Sequence, residues 1–199
     1  MQQTILDDPK SKHLVSIKRT LLFLLVMVGI LFTIYTAKFK ESLNVIPVIS
    51  DDTITLQKQL QYKEVDKSAL QTWLDDRNSL LSEDPYFNQI FITAKDFNIN
   101  PLLLFAITGQ EQGFVPRHNS NACEIASNPF NVYGSWRVYN TCIEDSSRIA
   151  ARTIINLSKG CPEDADPILW LNQSYAEDPN WYKGVSALLN QLEEVALLP

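Results

Sequence analysis

The chain has 199 residues, 45% of them hydrophobic, and a formal net charge of −6 at pH 7. That length holds one compact domain with a real core plus additional segments. From Asp52 onward it carries 11 Lys and Arg against 19 Asp and Glu, which argues against the basic face of a nucleic-acid binder.

In chain order, the first feature is an uncharged run at residues 20–37, TLLFLLVMVGILFTIYTA. As a helix it rises about 27 Å, enough to cross a hydrocarbon core. It is longer than the apolar region of a cleaved signal peptide, and no small-residue cleavage pattern precedes Lys38. The segment reads as an uncleaved transmembrane anchor. Lys10, Lys12, Lys18 and Arg19 precede it and Lys38 and Lys40 follow, a bias that places the N-terminus in the cytoplasm and the rest of the chain outside the membrane. The expected organisation is a cytoplasmic tail over residues 1–19, the anchor over 20–37, a stalk over 38–65 and a folded domain over 66–199. Fully extended, the stalk reaches less than about 100 Å.

The domain reads as mainly α-helical. Leu70, Trp73, Leu74, Leu80 and Leu81 fall near helical spacing. Asp84-Pro85, Asn100-Pro101, Asp166-Pro167 and Asp178-Pro179 each place a capping side chain before a proline, predicting four helix starts. Thr141-Cys-Ile-Glu144 has capping-box spacing and predicts a fifth. The helix behind it carries Ile143, Ile149, Ala150, Ile154 and Leu157 and ends near Lys159-Gly160. Residues 113–140 carry no helical period. Within them only residues 131–139 (NVYGSWRVY) have the content of a short irregular strand or loop. A non-helical insert of that length in a compact domain is usually functional.

Three cysteines, Cys123, Cys142 and Cys161, show no C-x-x-C spacing, and His13 and His118 are far apart. This argues against a zinc site. One disulfide with one odd thiol, or three small buried apolar residues, both fit. No metal or organic cofactor is implied.

Residues 106–116 read AITGQEQGFVP. Glu111 lies four residues after Ile107, on the side of the apolar face of Leu103, Leu104, Ile107 and Thr108. Gly113 reads as the left-handed stop. Partial burial and the negative helix end both act against the charged form of such an acid, and a neutral carboxyl is what a general acid needs to protonate a glycosidic oxygen. The plain alternative is a helix that surfaces and shows a polar residue to water.

Three stretches carry a resemblance: the helix ending in Glu111 followed by Gly113-Phe-x-Pro, residues 127–134 (SNPFNVYG), and residues 175–185 (YAEDPNWYKGV). They resemble the lysozyme-like superfamily of peptidoglycan hydrolases, and within it the bacterial β-N-acetylglucosaminidases of glycoside hydrolase family 73, over roughly residues 84–192. The resemblance implies a lysozyme-like helical domain with a small irregular loop or β insert. It implies Glu111 as catalytic general acid, Tyr175 as a cleft tyrosine assisting the oxocarbenium-like transition state, and Asn128 and Phe130 as shapers of the sugar groove. Tyr133 and Trp136, in the insert, are candidates for stacking on a sugar ring or for packing, and Trp181 and Tyr182 read as packing for the last helix. Asn131 departs from the family's glycine after Phe130. A second carboxylate is missing from the motifs. Glu124 could face the cleft as an accessory acid, or the substrate's acetamido group could serve. Glu144 and Asp145 read as helix-start acids.

The expected function is a membrane-anchored hydrolase of β-1,4 bonds in peptidoglycan glycan strands. The alternatives are a lytic transglycosylase forming 1,6-anhydro ends, whose expected Gly-Leu-Met-Gln-type loop is absent here, and a non-catalytic glycan-binding scaffold for a cell-envelope machine.

Overall fold

The computed structural model describes residues 56–198. The expected tail, anchor and most of the stalk lie outside them. Among the described residues are seven α-helices and no strand, only isolated bridges, and no helix there is long and apolar enough to cross a membrane. The helices are α1 (Lys67–Asp76), α2 (Tyr86–Asp96), α3 (Pro101–Gln112), α4 (Ala122–Ser127), α5 (Ile143–Ser158), α6 (Pro167–Tyr175) and α7 (Trp181–Ala196). The class is therefore mainly α, as expected.

The centre of the domain is α3. Residues 101–108 are all buried, not only one face of the helix, the signature of a helix enclosed by others. It packs chiefly against α7 and also against α2; α2 in turn packs on α5, and α5 and α7 both pack on α6. Asn100 starts α3 as expected. Its side-chain oxygen accepts from the Leu102 N–H at 3.0 Å, with Pro101 in the first turn. Its own amide N–H is taken by the Leu60 carbonyl at 2.8 Å. That contact shows the domain beginning before residue 66: Leu56, Leu60 and Val65 are buried in the core.

The other proline-marked starts divide. Asp166 caps α6 through the N–H groups of Ile168 and Leu169. Asp84 does not cap α2; its carboxylate accepts from the Asn88 side-chain amide at 2.8 Å. Asp178 bonds the N–H of Asn180 at 2.9 Å, so it shapes a turn and α7 begins only at Trp181. The N–H of Tyr182, in the first turn of α7, is instead satisfied by Asn172 of α6, whose amide also donates to the Asp178 carbonyl. The capping box at Thr141 does not form. The Thr141 hydroxyl donates to Asp145 at 2.7 Å, α5 starts after Cys142 without a side-chain cap, and Glu144 is exposed.

The insert is not wholly non-helical. It contains α4 and a single 3₁₀ turn, Val132–Gly134, and residues 131–139 form no strand. Arg117 pins its start, donating to Asp75, Ser82 and Glu83 at 2.6–2.7 Å. The Tyr139 hydroxyl pins its end, donating to Asp145 at 2.7 Å. All three cysteines are free, with Cys123 and Cys142 exposed, so neither the disulfide nor the buried packing expected of them is present.

The end of α3 is shaped by two glycines. Gly113 stops the helix in the left-handed region (φ 55°, ψ 37°) and is followed by Phe114 and Val115, also at positive φ. This reversal lays the Phe114 ring on Gly109, where a Cβ would meet ring atoms well inside van der Waals contact. The ring sits edge-on to Trp73 at 5.1 Å. At Gly184 of α7 a Cβ would meet only the end of the flexible Gln110 side chain. Gly109→Ala should therefore destabilise the protein by about 1–3 kcal/mol despite alanine's helix preference, while Gly184→Ala should change stability by less than about 1 kcal/mol. Urea unfolding of both variants checks the contrast; equal effects would mean that Phe114 does not depend on the missing Cβ.

Candidate active site

Glu111 lies in the last turn of α3, where the buried helix meets the surface, and is half-buried. Both its oxygens are held. Oε1 accepts from the Trp181 indole N–H at 2.7 Å and Oε2 from the Asn131 side-chain amide at 2.8 Å. The donors come from two segments far along the chain, α7 and the insert. A carboxyl has acceptor capacity for both bonds with or without a proton of its own.

Trp181 is buried as the first residue of α7, and its ring stacks on Tyr175 (centroids 4.7 Å apart, 28° between planes). Tyr175 ends α6, so the stack closes the turn between α6 and α7 beside the acid. Burial, and secondarily the charge of Glu111, hold the Tyr175 phenol well above the usual tyrosine range. It is thus a neutral O–H at physiological pH, able to donate a hydrogen bond but not to act as a base.

These groups open on a cleft of about 420 Å³. Glu111, Asn131, Tyr133, Thr153, Tyr175 and Glu177 contribute its polar lining. Phe130 and Ile149 form part of its apolar wall. Of the residues expected from the sequence, Glu111, Tyr175, Phe130 and Tyr133 come together here. Tyr133 is 68% exposed and edge-on to Tyr139 at 5.1 Å, an aromatic face on the cleft rim.

The remaining candidates do not line the cleft. Asn128 is fully buried behind it. Its amide donates to the carbonyls of Val132 and Tyr139 at 3.1 Å, and its oxygen accepts from the Val132 N–H. It builds the wall from the inside. Trp136 is partly buried against the core, with the Arg137 guanidinium 4.8 Å from its ring centroid. Glu124 is exposed on α4.

Three functional candidates escaped the sequence reading. Trp181 was read as packing; it packs and also donates to the acid. Asn131 looked like a departure from a motif, yet it points at Glu111 from a left-handed backbone (φ 52°, ψ 31°), a region that asparagine enters more easily than most residues. Glu177 is the second carboxylate that lines the cleft. Its signal was its place two residues after Tyr175, obscured by the turn chemistry of the following Asp178-Pro179. Comparison of the chain with protein-family models, curated proteins and solved structures found no match.

The state of Tyr175 is open to a direct check. A spectrophotometric tyrosinate titration of the wild type, minus that of Tyr175→Phe, should show its amplitude only at pH above the ordinary tyrosine range. Amplitude within that range would mean that the phenol is neither buried nor under the charge of Glu111.

Proposed function

We propose that this chain is a membrane-anchored peptidoglycan hydrolase that cleaves β-1,4 bonds in glycan strands, of the endo-β-N-acetylglucosaminidase type, with Glu111 as general acid. The observation that carries the reading is the setting of Glu111: a carboxyl at the end of a buried helix, each oxygen held by a neutral N–H donor, on the lining of an open cleft. A group held in this way meets a glycosidic oxygen in a fixed geometry, which is what proton transfer in the transition state requires. The resemblance of the segments around Glu111, Phe130 and Tyr175 to the lysozyme-like superfamily and to glycoside hydrolase family 73 supports the same choice, and would make the helical domain lysozyme-like.

In the proposed reaction Glu111 gives its proton to the leaving oxygen as the glycosidic bond breaks. The neutral phenol of Tyr175 donates to the sugar beside the developing oxocarbenium centre. Tyr133 offers its exposed ring as a stacking face for a neighbouring sugar. Glu177, on the cleft lining, takes the place left open for a second acid and activates the attacking water. The anchor at residues 20–37 would hold the domain outside the membrane, with the N-terminus in the cytoplasm, and confine its action to glycan near the membrane.

Digestion of purified peptidoglycan by the full-length protein, read by mass spectrometry, tests the assignment. Muropeptides with reducing N-acetylglucosamine ends are expected, and Glu111→Gln should abolish them in a protein that still folds. Ends in 1,6-anhydro form would move the chain to the lytic transglycosylases, which use no water. No cleavage by the folded wild type would favour a glycan-binding scaffold.

Glu177→Gln addresses the second carboxylate. A fall of about 10²–10⁴-fold in kcat is expected for a lost general base. Near-wild-type turnover would assign the step to the substrate's acetamido group.

A further inference from the structure

Glu111 is not held by Asn131 alone. The Gln112 side-chain N–H donates to Asn131 Oδ1 at 2.6 Å, and Asn131 Nδ2 donates to Glu111 Oε2 at 2.8 Å. The three groups form a chain in which the amides turn in step. The Glu111 oxygen accepts, so Asn131 turns its NH₂ toward it. The asparagine oxygen then faces Gln112, which answers with an N–H. A flip of Asn131 alone would set two N–H groups against each other at one end and two acceptor oxygens at the other, which costs both bonds. Gln112 is the immediate chain neighbour of Glu111 on α3, while Asn131 reaches both from across the cleft wall.

We propose that Gln112 and Asn131 form an amide relay ending on Glu111, in which the Asn131 orientation is set jointly by what Glu111 and Gln112 present to it, so that a change of polarity at Gln112 is felt at the acid. Both are positioning residues, since neither acts except through the acid. The orientation stands on the hydrogen-bond geometry; its catalytic consequence rests on the glycosidase reading.

The relay can be inverted without touching Glu111. In Gln112→Glu the new carboxylate can only accept. Asn131 must turn its NH₂ toward it, and the asparagine oxygen then faces Glu111. An acceptor there can be satisfied only by a protonated carboxyl, so the variant favours the neutral acid. The new charge also acts directly through space, and in the same direction. The two contributions separate in a double-mutant cycle, because the relay needs Asn131 and the direct charge does not. Asn131→Gly is the suitable partner, since glycine keeps the left-handed backbone found there.

The other groups that titrate or carry charge beside Glu111 on the cleft are Tyr175 on α6, Glu177 in the turn after it and Tyr133 on the insert; no lysine or arginine lines it. All three are present unchanged in every arm of the cycle, so they cancel from the comparison.

The measurement is a ¹³C titration of glutamate side-chain carboxyls in the full-length protein, with the Glu111 signal assigned by its loss in Glu111→Gln. Gln112→Glu should move the Glu111 midpoint upward, and most of that movement should vanish in the Asn131→Gly background. Equal movement in both backgrounds would reduce the effect to through-space charge and overturn the relay, as would no movement at all. Muropeptide release is followed in parallel. Asn131→Gly should lower kcat about ten- to a hundredfold with KM little changed, and the basic limb of the pH profile in Gln112→Glu should follow the ¹³C midpoint. If the midpoints behave as expected while no form cleaves glycan, the relay stands and the glycosidase reading fails.

Discussion

The burial of α3 is the constraint from which the rest of the domain follows. A helix with residues 101–108 enclosed on every side has no polar face along most of its length, and only its last turn can carry groups that need partners. Its backbone is satisfied internally and by Asn100 at one end and the glycine reversal at the other. Gly109 gives room for Phe114 to seal the last turn, and Glu111 falls where the seal stops. The acid therefore finds fixed donors instead of bulk water. They come from positions 20 and 70 residues away, so the candidate site exists only once the insert and α7 have closed around the central helix.

Sequence reading succeeded where the decisive contact is local and uncontested. Asn100 and Asp166 cap as their spacing demands, because no other group competes for their oxygens, and the apolar stripe of α5 buries as its period requires. It failed where a nearby side chain offered a better partner. Asp84 is taken by Asn88, Thr141 by Asp145, and the first turn of α7 is served by Asn172 from another helix. At the site the same division holds. Glu111 was legible from its position on an apolar helix, and Tyr175 only through the resemblance its segment carries. The meaning of Asn131 was not, because an amide has no fixed polarity until its partners on both sides are known.

The insert acts less as a free loop than as a fitted wall. Arg117 fastens its beginning to the region around Ser82, Tyr139 and Thr141 fasten its end to Asp145, and the buried Asn128 ties its middle to Val132 and Tyr139 of the later limb. Asn128 was expected in the sugar groove; it serves the groove by holding the backbone that carries Phe130, Asn131 and Tyr133. Few of these bonds depend on hydrophobic burial, which is why a segment poor in apolar periodicity can still have a defined shape.

The backbone around Val65 meets the end of α7: Val65 bridges Leu197 and the Asp66 N–H bonds the Ala196 carbonyl at 2.8 Å. The folded unit is topologically close to a ring clasped at Val65 and Leu197, with Leu56 and Leu60 running on from the clasp into the core. A linker running from Leu198 back past the clasp to Leu56, so that the buried Leu56 and Leu60 are kept, would close that ring, and the exposed stretch at His118, Asn119 and Ser120 is a natural place to open it again. Circular permutation there would deliver the insert on a free terminus while leaving α3, α6 and α7 continuous.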